Sequence, residues 1–266
     1  MNTSDHKAAA QTLFDAEQSG VQTGLLSLQY PGMTMDDAYA VQGQLVELKV
    51  EGGLFKRGYK IGLTSRAMQE ALKIDIPDSG VLFDNMFFEN GSAIPAARFI
   101  QPRIEAEIAF VFKDDLRGNN ITIFDVLNAT DYVSPALEIL DTRILRVDPE
   151  TGTTRNVCDT IADNAANAGI VLGGRACKPI DIDLRWAGAI VSRNAVVEET
   201  GLGAGVLNHP AQGIVWLANR LAQYGQSIEA GQVVISGSFI RPIEAMHGST
   251  INADFGPLGS VSLFFE

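Results

Sequence analysis

The sequence predicts an α+β protein, with a mainly helical N-terminal region over residues 1–75 and a β-rich body over 76–266. Two observations carry that prediction. Apolar residues recur at helical spacing in two stretches before residue 51. From residue 80 onward, short apolar runs alternate with Gly, Pro, Asn and Asp, the texture of strands joined by turns. A chain of 266 residues with 46% apolar and 20% charged residues has ordinary globular composition, so disorder is not expected over most of its length.

The elements follow in order. Residues 4–19 read as a helix through Ala9, Leu13, Phe14 and Ala16. A second helix runs from Thr34 to Val50: Thr34 caps it, Ala38, Val41, Leu45 and Leu48 form its stripe, and Gly52-Gly53 ends it. Strand candidates are GVLFDNMFF (80–88), RIEAEIAFVF (103–112), YVSPALEILD (132–141), AGIVLGG (168–174), WAGAIVSRNAVVEE (186–199), QVVISGSF (232–239), STINADFG (249–256) and GSVSLFF (259–265). Two further helices are expected among them. One is Ile123 to Asn128, and the other His209 to Tyr224, where Pro210 suits a first turn. No repeat, linker or low-complexity segment is visible.

Charge narrows the function. A net charge of -12 repels phosphate backbones, so nucleic acid is not an expected partner. An anionic substrate would need local positive charge from a metal or from a few Lys and Arg side chains. The two cysteines, Cys158 and Cys177, lack CxxC spacing and read as reduced thiols. His6, His209 and His247 are far apart and form no metal-binding pair. No nucleophile elbow, P-loop or dinucleotide fingerprint occurs. The polar N-terminus has no apolar signal core, and no apolar run reaches about 18 residues, so a cytoplasmic protein without membrane contact is expected.

The segment RIEAEIAFVF carries the chemistry. On a strand, Glu105 and Glu107 project to one face with Ala109 and Val111, and Ile104, Ala106, Ile108, Phe110 and Phe112 to the other. Both faces read as buried. Two adjacent carboxylates in such a place cost several kcal/mol per ion, on the order set by desolvation, unless something neutralises them. Glu138 sits in a second apolar run, between Leu137 and Ile139. Three carboxylates on two neighbouring strands suit a hard divalent cation, Mg²⁺ or Mn²⁺ rather than zinc, with positions left for water and substrate. The competing reading is a solvated strand face paired with Arg103 or a lysine.

Lys60 lies in RGYKIGLTS, and Asp78 follows Pro77 before Ser79-Gly80. Lys60 is either a snorkelling surface lysine or a proton-transfer group in a closed site. Asp78 is either a turn residue or a general base beside the metal. Asp163, Asn164 and Asn167, in DNAANAG, read as caps or turn residues.

Together, YKIGLTS, PDSG, PRIEAEIAFVF, ATDYVSPALEILD, DNAANAG and GVLNHPAQGIVWLANRLA resemble the bacterial 2-oxopent-4-enoate hydratase group of the fumarylacetoacetate hydrolase superfamily. The resemblance runs from residue 38 to the C-terminal strand. It implies a mixed β-sandwich roll behind a helical N-terminal region, in homo-oligomers built from dimers. It implies Mg²⁺ (Mn²⁺ possible) on Glu105, Glu107 and Glu138, with Lys60 and Asp78 as the catalytic pair. It also implies a small 2-oxo acid or dicarboxylate substrate, and within the group the branch acting on a heptenedioate in homoprotocatechuate (4-hydroxyphenylacetate) breakdown. Arg66, Arg143 and Arg241 are the candidates for holding a distal carboxylate. The superfamily's C–C hydrolases use a His–Glu pair, and no histidine stands between His6 and His209 to supply it. Three alternatives stay open: a 2-oxo-3-hexenedioate (4-oxalocrotonate) decarboxylase, a 2-oxopent-4-enoate hydratase, and a non-catalytic, metal-stabilised partner subunit.

Overall fold

The computed structural model of the chain describes residues 1–66, 69–70, 74 and 76–266. The α-helices given by the described residues include α1 (Thr3–Ser19), α2 (Leu26–Gln29), α3 (Met35–Glu51), α4 (Ile123–Ala129), α5 (Val157–Ala162) and α6 (Pro210–Gln223). Capping chemistry sets the starts of the longer ones. Asn2 closes a capping box with Asp5, and Thr34 one with Asp37. At α6, His209 Nδ1 accepts from the Ala211 N–H while Pro210 opens the first turn. Ala9, Ala10 and Leu13 of α1, Val41 and Leu45 of α3, and Ile161 and Ala162 of α5 form a separate apolar cluster.

The strands are β1 (Lys56–Gly62), β2 (Asp78–Phe83), β3 (Phe87–Phe88), β4 (Ala93–Ile94), β5 (Arg103–Phe112), β6 (Thr130–Leu140), β7 (Asn167–Leu172), β8 (Gly188–Arg193), β9 (Val196–Leu202), β10 (Val233–Ile235), β11 (Ile243–Glu244), β12 (Thr250–Asp254) and β13 (Ser260–Phe265). The larger sheet runs β2-β1-β10-β5-β6-β7-β3, with β11 also on β5. The smaller runs β4-β13-β12-β8-β9. Pairing is antiparallel except β1 with β10, β3 with β7 and β4 with β13, so the sheets are mixed. One core joins them: Ile104, Ile108 and Phe110 of β5 share it with Val191, Ile251, Val261 and Leu263 of the smaller sheet, and with Ile214 and Leu217 of α6.

The α+β class is therefore the observed one. Several short elements, α2, β4 and β11, have no counterpart in the sequence reading, and two longer ones depart from it. Residues 56–62, counted with the helical region, form β1 in the interior of the larger sheet, between β2 and β10. The alternation there is hidden because one face carries Ile61 into the core while the other carries Lys60 into a polar site. The sequence reading also has no counterpart of α5; Asn156 caps it, its amide oxygen accepting from the Cys158 and Asp159 N–H groups. Both thiols are free, as read from their spacing.

The helical region is tied to the sheet by buried apolar packing of Val46 on Val81 and Phe83 and by a buried amide. Gln42 of α3 donates from its amide to Ser79 O on β2 at 2.8 Å and to Ile161 O on α5 at 2.9 Å. Replacing fully buried Leu13 by Ala is expected to destabilise the protein by about 2–5 kcal/mol, the usual cost of such a truncation. A lowered thermal midpoint with catalytic activity retained per folded molecule is the outcome to look for.

Candidate metal and proton-transfer site

The site is built on one face of the larger sheet. Register places Glu105 of β5 directly opposite Glu138 of β6, and Glu107 opposite Ala136. Strand alternation keeps Glu107 on the same face as Glu105. One carboxylate oxygen from each of Glu105, Glu107 and Glu138 lies within 4.8 Å of the others. Glu107 and Glu138 are fully buried; Glu105 sits at the edge, on a cavity of about 470 Å³. At that spacing each ionised pair repels by on the order of 3 kcal/mol at an effective dielectric of ~20.

Partners offset part of this. Glu107 Oε2 accepts from the Gly237 N–H at 2.8 Å, and Glu138 Oε1 from the Asn167 amide at 2.9 Å. Lys60 of β1, also buried, brings its ammonium to 3.3 Å from Glu138 Oε1 and donates to Ala165 O at 3.0 Å. Glu107 Oε1 and Glu138 Oε2 have no partner, which native structures seldom leave uncompensated. An all-oxygen donor set with orphaned buried oxygens and one edge on a cavity fits a hard divalent cation with open positions.

Asp78 stands beside Lys60, across β2 and β1. A Cβ on Gly62 would lie 2.2 Å from Asp78 Oδ1 and 3.1 Å from Lys60 Nζ, so only glycine lets the two charged groups close over that backbone. Asp78 Oδ1 has no hydrogen-bond partner. Burial by itself lowers the Lys60 pKa, but Glu138, Asp78, Glu105 and Glu107 outweigh it and hold the ammonium above the usual lysine range. Burial raises the Asp78 carboxyl, and Lys60 and the Gly62 N–H pull against that rise. Loss of water and then the charge of Glu138 push Glu105 up to about 8. Burial and the neighbouring glutamates raise Glu107 well above the carboxylate range.

The three arginines part company. Arg66 and Arg241 line the cavity on which Glu105 opens, each paired with an acid, Glu70 and Glu199. Arg143 does not line that cavity. It is buried, with its guanidinium on the Asp163 carboxylate, Asp163 O and Asn167 O. Asn167 was legible only as a turn residue, because its contact with Glu138 joins positions 29 apart. The histidines find other partners: His6 pairs with Asp37, His209 caps α6, and His247 meets Glu266 O.

The chain is 55% identical over 98% of its length to the 2-oxo-hept-4-ene-1,7-dioate hydratase of Escherichia coli, 97% of which is covered. It is 37% identical over its whole length to the 2-keto-4-pentenoate hydratase of Paraburkholderia xenovorans, covering 97% of that protein. The chain belongs to this hydratase family. The family is one of lyases, and it extends to a decarboxylase. The structure of 4-oxalocrotonate decarboxylase from Pseudomonas putida G7, complexed with magnesium and adipate, superposes with a TM-score of 0.93 at 33% identity, covering 100% of this chain and 99% of that one. Fumarylpyruvate hydrolase from Pseudomonas aeruginosa, in complex with Mn²⁺ and pyruvate, shares the fold at 12% identity, with a TM-score of 0.56 over 79% of this chain and 89% of that one. No family model matches the sequence. Among the described residues, no helix of this hydratase-family chain is long and apolar enough to cross a membrane.

The raised carboxyls set a pH dependence. A carboxyl whose folded pKa lies above its unfolded value favours folding when protonated, and that stability is lost as pH rises through the folded pKa. Metal-free protein is therefore expected to melt at progressively lower temperature as pH rises from the ordinary glutamate range, 4.5, toward 8, the Glu105 value. Added divalent cation should restore stability, and restore more of it at higher pH, because binding needs ionised ligands. A metal-free thermal midpoint that rises between those pH values would contradict the assignment.

Proposed function

We infer that the chain is a Mg²⁺-dependent hydratase that adds water to 2-oxohept-4-ene-1,7-dioate, giving 4-hydroxy-2-oxoheptanedioate. The observation that carries the reading is the convergence of Glu105, Glu107 and Glu138, with orphaned buried oxygens beside the Lys60–Asp78 pair. The 55% identity to the heptenedioate hydratase supports the choice of substrate. The magnesium-bound decarboxylase of the same fold supports the choice of ion.

Glu105, Glu107 and Glu138 hold the ion. When bound, it supplies the positive charge that lets an anionic 2-oxo acid enter an acidic site and stabilises the enolate. The chain's own groups do the rest. Lys60 and Asp78, packed together over Gly62, carry the proton transfers and orient the substrate. Moving a proton from C3 to C5 shifts the alkene to C3=C4, in conjugation with the carbonyl; the oxygen of water then adds at C4 and a proton returns to C3, a net gain of one water. Arg66 and Arg241, at the cavity mouth, receive the distal carboxylate. Decarboxylation is the competing outcome at such a site, with the enolate formed by loss of CO₂ instead of a proton.

Finer assignments belong to the same reading. The two sheets make a mixed β-sandwich roll, and the enzyme acts in the cytoplasm in 4-hydroxyphenylacetate catabolism. It works as a homo-oligomer built from dimers. Support for self-association lies on edge strand β9 and its neighbour β8, where Ile190, Val196, Val197 and Leu202 leave apolar surface exposed, with exposed Trp186 just before β8.

Mass analysis of products decides the reaction: gain of a water mass from a 2-oxo-4-enedioate supports the hydratase, and CO₂ release supports decarboxylation. Glu107→Ala is expected to abolish both Mg²⁺ binding and turnover while circular dichroism stays native. Turnover retained in that variant would end the metal assignment. Arg241→Gln is expected to raise KM for the dioate by about 10-fold or more, the scale of one lost charge-assisted contact, while a monocarboxylic 2-oxo-4-enoate is little affected. Equal effects on both substrates would remove Arg241 from distal recognition.

A further inference from the structure

The segment 163–167 makes a set of contacts that the reaction as described does not use. Asn164, Ala165 and Ala166 have φ of 50°, 52° and 57°, three consecutive non-glycine residues in left-handed backbone. Asn tolerates that region, but alanine does not favour it, so such a turn persists only where its surroundings over-determine it. Here they do. Both ends of the Asn164 amide bind one residue of β2: Oδ1 accepts from the Val81 N–H at 2.8 Å, and Nδ2 donates to Val81 O at 2.9 Å. The turn lies directly on that strand, since a Cβ on Gly80 would come within 2.4 Å of Asn164 O. On its other flank, Asp163 is clamped by buried Arg143.

The product of this bracing is the position of one carbonyl. Ala165 O receives the Lys60 ammonium at 3.0 Å. An ammonium has three donors. Ala165 O takes one of them, Glu138 Oε1 lies 3.3 Å from the ammonium as an ion pair, and Asp78, whose Oδ1 is unpartnered, shares the space over Gly62. A lysine on four flexible bonds needs such a fixed acceptor to present one N–H in one direction.

We propose that Asn164 is a positioning residue: its double bond to Val81 locks the left-handed turn, and the Ala165 carbonyl of that turn aims the Lys60 ammonium toward Asp78 and the substrate. This rests on the reading that Lys60 and Asp78 carry the proton transfers. Asn164 itself bonds to Val81 and not to the three glutamates, and Asn167, which holds Glu138, is anchored separately by its pairing with Leu140 on β6 and by Arg143, so the effect of Asn164 should fall on kcat alone.

The test compares variants of the full-length, metal-loaded protein. Asn164→Gly removes both amide bonds while leaving the left-handed backbone accessible. Its kcat should fall about 100-fold, the scale of an ångström-sized misplacement of a reacting group, with KM unchanged. Mn²⁺ affinity, followed by electron paramagnetic resonance, should also stay unchanged. Gly80→Ala presses on the turn from the β2 side and should reproduce the loss of kcat without loss of Mn²⁺ affinity, which preserves the test if Asn164→Gly does not fold. Leu13→Ala gives the comparison for stability: it lowers the melting temperature without this signature. Near-parental kcat in Asn164→Gly, or in Gly80→Ala where that is the variant that folds, overturns the proposal, as does metal affinity falling in step with kcat. Lys60→Met separates the two levels. Activity in that variant defeats the underlying reading, whereas an inactive Lys60→Met beside an active Asn164→Gly defeats only the positioning role.

Discussion

Repulsion among three buried glutamates is the constraint around which the rest of the molecule is arranged. β5 and β6 pair in a register that sets Glu105 against Glu138, and strand alternation adds Glu107 to the same face. Left alone, such a cluster would protonate or unfold its surroundings, since burying an unpaired ion costs several kcal/mol on the order given by continuum estimates. The neighbours offset it in layers. A backbone N–H from Gly237 and an amide from Asn167 take one oxygen each, and the Lys60 ammonium adds charge. The two oxygens still unpartnered are the part of the balance that the proposed cation would complete.

That balance explains features that look unrelated. Gly62 has no side chain because Asp78 and Lys60 occupy its space. Arg143 is buried among Asp163 and Asn167 because the segment carrying Asn167 must be rigid where it meets Glu138. The chain carries a net charge of -12, while Arg66 and Arg241 line the cavity and the Lys60 ammonium lies buried beside Glu138, where the proposed anionic substrate would find local positive charge. Long-range attraction is given up for a local field inside the site, where a lower dielectric makes each charge count for more. The separate helical cluster of α1, α3 and α5 reaches this machinery through Gln42, which binds both Ser79 beside Asp78 and Ile161 on α5.

Legibility followed range. Glu105 and Glu107 were readable because both faces of their strand are apolar apart from them, and a period of two says which residues share a face. Helices α1, α3 and α6 were readable from caps and apolar spacing within a few residues. Strand β1 was not, because its inward polar residue, Lys60, breaks the alternation that marks a buried strand. Asn164 and Asn167 looked like ordinary turn residues, since their partners, Val81 and Glu138, lie 83 and 29 positions away. Arg143 looked like a candidate for a substrate carboxylate, and nothing local reveals that Asp163, 20 positions on, takes its guanidinium.

By itself the sequence determined which residues alternate, which helices are capped, and that carboxylates stand in apolar runs, because those are properties of neighbours along the chain. Tertiary structure alone decided that Glu138 falls opposite Glu105, that Lys60 reaches Glu138 from another strand, and that a left-handed turn offers Lys60 its carbonyl. The physical reason is that charge compensation depends on distance in space. Residue type tells which groups require compensation, but only packing brings the compensating group within hydrogen-bond reach.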